Sequence, residues 1–169
     1  MASAFERPGD GYLIPDSTLG QWIGTNPKSH ISIWSKANAD HNRQLIPLIK
    51  MIKGWNKKNG ASLRSFHLEC INLKIWEGYA IPDYPAAIKY AFNTAQYWVK
   101  NPLPDPAGIG YNANVGKYLN TMDKVNNVVS RLQTAYTRAS SAEDAVRRGN
   151  FEEAFRNWRL IFDDYFPAY

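Results

Sequence analysis

The segment Ser62–Tyr79, SLRSFHLECINLKIWEGY, distributes Leu63, Phe66, Leu68, Cys70, Ile71, Leu73, Ile75 and Trp76 around nearly the whole circumference of a helix. A helix that is apolar along one stripe can lie on a surface, whereas one apolar on every side has to be enclosed by other elements. The rest of the sequence supplies the enclosure. From about Asn38 to Asn59, Leu45, Leu48, Ile49, Ile52 and Trp55 recur on one side with a 3.6-residue period, which predicts an amphipathic helix. Pro47 marks either its first turn or a kink, Gly60 stops it, and Ser62 is the expected N-cap of the central helix. Asp83 with Pro85 opens a third helix to about Lys100, spaced by Ile88, Ala91, Phe92, Ala95 and Val99. The proline- and glycine-rich stretch NPLPDPAGIGYN is a loop. A fourth helix runs from about Thr121 into the 140s through Val125, Val128, Val129, Leu132, Ala135, Tyr136 and Ala139. Asn150 with Glu153 then forms a capping box for a last helix ending near Asp163.

Ahead of these helices, GYLIPD, GQWIG and TNPKSHISIW read as short strands or extended connections ending near Trp34. The expected fold is therefore mainly α, a helical bundle with a short extended or β N-terminal segment. Residues 1–34 are expected to form an extended linker and hairpin, and residues 35–169 a helical domain. With 169 residues, 44% of them hydrophobic and 14% aromatic, the chain suffices for one folded core. It contains no apolar run long enough to span a bilayer and no basic region followed by an apolar block, so a cytoplasmic protein without a membrane partner is expected. Cys70 is the only cysteine, which excludes an internal disulfide and a cysteine-based metal site and leaves it as a small core residue. Twenty Lys and Arg against fifteen Asp and Glu give a net charge of +5, which suits phosphate-bearing partners without demanding them.

Lys50, Lys53 and Lys57 fall within one narrow arc beside the apolar stripe of their helix, a pattern that serves either as a solvated face or as a phosphate contact. Ser65 lies in the first turn of the next helix, where unpaired N–H groups and the positive end of the dipole favour an anion. Together they outline a triphosphate clamp. His67 has no second ligand at helical spacing and reads as a hydrogen-bonded core residue. Glu69 reads as a helix-dipole or packing partner, or as a base. Asp163 and Asp164 are adjacent and point to different sides of a helix, and the chain has no Asp-x-Asp, P-loop, nucleophile elbow or Cys-x-x-Cys.

The run LIPLIKMIKGWNKKNGASLRSFHLE resembles the spine-helix region of the CD-NTases, bacterial relatives of cyclic GMP-AMP synthase and oligoadenylate synthetase. In that family a K-x-W ending one helix precedes an S-F/Y-H-x-E beginning the next. AFERPGDGYLIPD is similar to the segment just past the third catalytic strand and GQWIGTNPKSH to the hairpin that follows. DPAGIG is similar to a later loop, and WRLIFDDYFPAY to the terminal W-x-x-I-F-G-x-x-F-P. The resemblance runs from Phe5 to nearly the end of the chain. It implies the C-terminal lobe of the nucleotidyltransferase fold. Lys53 and Ser65 stand for the residues that contact the triphosphate and Phe66 for the aromatic ring against the donor base, although Phe66 equally fits a core position. Asp105 and Tyr12 stand as further candidates for nucleotide contact. Asp163 occupies a place where the family often has glycine.

The family's catalytic Gly-Ser motif, and the three carboxylates that hold two Mg²⁺ ions to activate the attacking hydroxyl and stabilise the leaving pyrophosphate, lie upstream of the position where this chain begins. Met1, Ala2 and Ser3 read as a start joined to a truncated body. The resemblance thus implies a lobe with no catalytic residue of its own, inactive without an N-terminal catalytic lobe in cis or in trans. The complete enzyme would use NTPs and Mg²⁺ to make cyclic or linear second messengers in anti-phage defence, with no nucleic-acid partner. The competing expectation is a stand-alone helical interaction module, its lysine stripe and aromatics such as Trp55 and Trp76 serving an RNA or protein partner.

Overall fold

The computed structural model describes residues 5–6, 11–16, 20–108 and 114–167. Strands β1 (Phe5–Glu6), β2 (Tyr12–Asp16) and β3 (Gln21–Thr25) form an antiparallel sheet in that order, with Tyr12 opposite Thr25 and Asp16 opposite Gln21 in the hairpin. Gly11 enters β2 at φ +88°, and a Cβ there would lie 2.6 Å from the Thr25 carbonyl oxygen, so the position requires glycine.

Helix α1 (Pro27–Asp40) departs from the expectation of extended chain up to Trp34. Its start is capped by buried Asn26, which accepts the Ser29 N–H at 3.0 Å, while Pro27 fills the first helical position. The helix buries none of its residues fully, so it lacks the apolar repeat by which a core-facing helix is recognised. Nor does the next helix begin at Asn38. Asn42 and Arg43, at φ +52° and +64°, turn the chain, and the Asn38 side chain accepts the Ile46 N–H at 2.9 Å. The His41 ring lies between Ala37 O at 2.6 Å and Trp76 O at 2.8 Å, tying this turn to the far end of the central helix. Helix α2 therefore runs Leu45–Lys58 with Pro47 in its first turn, where the missing N–H has no intrahelical partner to lose.

Helix α3 (Ser65–Trp76) is the enclosed one, burying His67, Leu68, Cys70, Ile71, Asn72, Ile75 and Trp76. Its N-cap is Arg64 and not Ser62, and no side chain of its own segment caps it. The Tyr118 hydroxyl does so from across the fold, accepting the Arg64 N–H at 2.9 Å while the Arg64 guanidinium lies over the Tyr118 ring at 4.7 Å. Tyr118 OH also lies 3.0 Å from His67 Nδ1. The turn from α2 into α3 is held by buried Asn56, whose amide donates to Leu63 O at 2.7 Å and accepts the Leu63 N–H at 3.1 Å.

Helices α4 (Tyr84–Lys100), α5 (Met122–Arg147) and α6 (Phe151–Phe162) begin at caps that the sequence displays. Asp83 accepts Ala86 N–H at 2.9 Å and Thr121 accepts Lys124 N–H at 3.3 Å. Asn150 accepts Glu153 N–H at 3.1 Å and donates to its carboxylate at 2.9 Å. Helix α5 packs along α4 and α6, and small buried residues, Ala135, Ala139 and Ala142 on α5 and Ala87, Ala91 and Ala95 on α4, permit close packing. The Trp55 and Phe92 rings meet at 4.8 Å in the core. After α6 the chain turns at Asp163, φ +55°, the backbone region that favours glycine. Lys58 clasps Asp164 and lies 4.8 Å over the Tyr165 ring, fastening this turn to α2. Among the described residues no helix is long and apolar enough to cross a membrane.

Two stability measurements check this packing. Asn56→Ala strands both backbone polar groups of buried Leu63 and is expected to cost about 2–4 kcal/mol in urea denaturation; a loss below about 1 kcal/mol would mean that the clamp is dispensable. Burial lowers the His67 pKa from 6.5 to about 4. The unfolded chain therefore takes up that proton first, and stability attributable to His67 falls as pH drops from 6.5 and is gone below about 4. The loss is on the order of 3 kcal/mol, read as the difference in pH slope between the unaltered chain and His67→Gln. Parallel slopes contradict it.

Candidate functional site

Helices α1, α2 and α3 border a cleft of about 470 Å³. Pro27, His30, Ile31 and Trp34 line it from α1, Ile46, Ile49, Lys50 and Lys53 from α2, and Phe66 and Glu69 from α3. Its aromatic wall is a cluster of three rings, with Phe66 at 5.0 Å from His30 and 5.9 Å from Trp34, and His30 edge-on to Trp34 at 5.8 Å. Beside the rings stands a charged group: Lys53 Nζ donates to Glu69 Oε1 at 2.6 Å, with the two side chains 37% and 26% exposed. An ion pair so exposed contributes little to stability, so it leaves an ammonium that an anionic ligand can recruit. Lys50 is exposed on the same border.

The structure thus brings Lys53 and Phe66 into one cleft. Ser65 is exposed at the first position of α3, next to Phe66 in the chain, but does not itself line the cleft. The N–H groups of Ser65, Phe66 and His67 precede the first intrahelical bond, from Leu68 N–H to Arg64 O at 3.1 Å, so this helix start presents the positive end of its dipole. Asp105 does not line the cleft. Its Oδ1 accepts from His30 Nε2 at 2.8 Å and from the Ala107 N–H at 2.9 Å, so it stands behind His30. Tyr12 is half-buried in β2 and outside the lining.

The lysine arc divides by position. Lys50 and Lys53 reach the cleft, whereas Lys57 lies outside its lining. Trp55 and Trp76 are each 3% exposed, which removes them as stacking surfaces for an RNA partner. His30 and Trp34 were missed in the sequence because their segment read as extended. The signal available was Asn26-Pro27 followed by Ser29, a helix start that places His30 and Trp34 at i and i+4 on one face. A larger cavity of about 840 Å³ lies between α1, the C-terminal half of α3 and the Leu103–Pro106 loop, but its walls include neither Lys53 nor Phe66. No group of three or more His, Cys, Asp or Glu among the described residues is arranged to hold a metal ion.

No family model matches the chain. It is 27% identical over 168 residues to the cyclic AMP-AMP-AMP synthase of an Acinetobacter species, covering 93% of this chain and 47% of that protein. The chain thus spans about half the length of the curated relatives it matches. Escherichia coli MS115-1 CdnC, in its structure with ATP, superposes with a TM-score of 0.82 at 14% identity over 97% of this chain and 58% of that one. The Vibrio cholerae di-nucleotide cyclase DncV, in complex with ATP, GTP and 5MTHFGLU2, gives 0.71 at 15% identity over 95% and 42%. The architecture is shared across nearly the whole chain with both structures, and a sequence match is to a cyclic AMP-AMP-AMP synthase: this is a CD-NTase-related protein.

Proposed function

We propose that this chain is the nucleotide-seating half of a nucleotidyltransferase that makes cyclic or linear oligonucleotide second messengers from NTPs in bacterial anti-phage defence, completed by a catalytic lobe in cis or in trans. The observation that carries the reading is the convergence of Lys53 and Phe66, from different helices, on one cleft. The kinship with a cyclic AMP-AMP-AMP synthase supports it.

A nucleoside triphosphate asks for two unlike surfaces, and the cleft offers both. The Phe66 and Trp34 rings present an apolar wall on which a base can stack. Lys50 and Lys53 supply cationic donors, and the amino end of α3 adds N–H groups and dipole to the same anion. Glu69 holds Lys53 in the absence of ligand, so an entering phosphate draws the ammonium away from the carboxylate. The described residues include no carboxylate cluster that fits the two-metal site used by the transfer chemistry of such enzymes, and that site would belong to the completing lobe. The chain by itself is accordingly expected to release no pyrophosphate from any NTP mixture.

The clamp is tested in the enzyme completed by its catalytic lobe. Lys53→Ala is expected to raise the NTP requirement about tenfold or more, because a charge-assisted hydrogen bond is worth roughly 1.5–3 kcal/mol. Lys57→Ala, outside the cleft, is expected to change it less than about twofold. Ser65→Ala should fall between them, since the backbone N–H groups and dipole remain. Part of the Lys53→Ala effect arises from leaving the Glu69 carboxylate beside the phosphates, and Lys53→Ala with Glu69→Gln is expected to recover that part. Equal KM values for the two lysine variants, at matched ionic strength and with folding confirmed, would make the stripe a solvent face.

A further inference from the structure

We infer that His30, oriented by Asp105, reads the edge of the base seated in the cleft and favours one with an amino group at C6 of a purine or C4 of a pyrimidine, as in adenine and cytosine. The inference rests on the reading of the cleft as a nucleotide site and assigns it a selectivity element. His30 lines the cleft from α1, with its ring 5.0 Å from Phe66, the surface proposed for base stacking. It is also one half of a mostly buried pair: His30 and Asp105 are only 17% and 10% exposed, and Nε2 lies 2.8 Å from Asp105 Oδ1. Asp105 is itself held in place by the Ala107 N–H at 2.9 Å.

This geometry fixes the role of Nε2. A carboxylate accepts and does not donate, so Nε2 carries a hydrogen, and the selectivity is assigned to the neutral tautomer, in which Nδ1 accepts. Nδ1 has no partner among the described residues, yet it is not one of the side-chain atoms that are both buried and unpartnered. It is therefore open to a ligand. The contrast with Trp34 is informative: its Nε1 is buried without a partner, so that ring offers a ligand its face and not its donor.

An acceptor held at a fixed position discriminates between bases that differ in one group. The amino group of adenine or cytosine donates to Nδ1, whereas the carbonyl that replaces it in hypoxanthine or uracil sets lone pair against lone pair and leaves both unpaired. Asp105 acts here as a positioning residue. It touches the nucleotide only through His30, which replaces the direct contact expected from the sequence.

The test is an NMR titration of the full chain with ATP, with ITP and with inorganic tripolyphosphate, following the amides of α1, α2 and α3. ATP is expected to bind about tenfold more tightly than ITP, and CTP more tightly than UTP by a similar factor. His30→Phe keeps a ring against Phe66 and Trp34 but removes both nitrogens, and is expected to bring both ratios to about one. Asp105→Ala should reduce the ratios, and Asp105→Asn, whose amide oxygen can still accept the Nε2 hydrogen, should restore them. A purely structural role for the pair would weaken all nucleotides alike and leave the ratios unchanged. Tripolyphosphate binding with equal ATP and ITP affinities, or a ratio that survives His30→Phe, overturns the role of His30 and leaves the cleft assignment standing. Absence of any response around Lys53 and Phe66 to nucleotides and tripolyphosphate alike overturns both.

Discussion

The turn between α2 and α3 is fixed by one side chain, Asn56, which satisfies both backbone groups of Leu63 inside the core. That clamp sets the angle at which α3 enters the bundle, and thereby the separation between Lys53 on one helix and Phe66 and Glu69 on the next. Arg131 of α5 and Asn59 reinforce it: Arg131 donates to Asn59 O, and the Asn59 amide reaches Ile161 O of α6 at 3.2 Å. A cleft whose cation and aromatic wall come from separate helices needs such a rigid joint, because a binding constellation tolerates only small displacements.

Burying most of α3 has a consequence for its polar groups. Of the buried side-chain atoms without a partner among the described residues, His67 Nε2, Asn72 Oδ1 and Trp76 Nε1 belong to α3, and Trp34 Nε1 belongs to a ring packed on Phe66. Each such atom costs about 1–3 kcal/mol. The apolar burial of Leu68, Cys70, Ile71 and Ile75 offsets this, along with the anchoring of Arg64 and His67 by Tyr118. The start of α3 is thus held by a side chain distant in sequence, which leaves its first N–H groups without a side-chain cap, where a local Ser or Asp would have occupied one of them.

The N-terminal part of the chain is built on the opposite principle. Phe5 and Trp22 meet edge to face at 5.2 Å yet stay 57% and 51% exposed, and Ile31, bordering the cleft, is 67% exposed. Apolar groups left in water on the sheet and on α1 accord with a surface that works against a further lobe, the arrangement proposed for the complete enzyme.

Where a helix buries a stripe, the sequence alone determined it: the repeats through Leu48, Ile52 and Trp55, through Ile88, Ala91 and Ala95, and through Val128, Leu132 and Ala135 locate α2, α4 and α5, and Asp83, Thr121 and Asn150 mark three starts. The all-round apolar pattern of α3 made it central, and the family signature singled out Lys53 and Phe66. Periodicity and caps are legible because both act within a few residues. Helix α1 was not, since it turns no residue fully inward. Other features required the helices to dock before they existed at all. Tyr118 caps α3 from 54 residues away, His30 meets Asp105 across 75, and Glu69 faces Lys53 only because the α2–α3 turn folds one helix back on the other. Local hydrogen bonds and apolar period are properties of a segment, whereas these partnerships are properties of the packing between segments, and only the tertiary structure decided them.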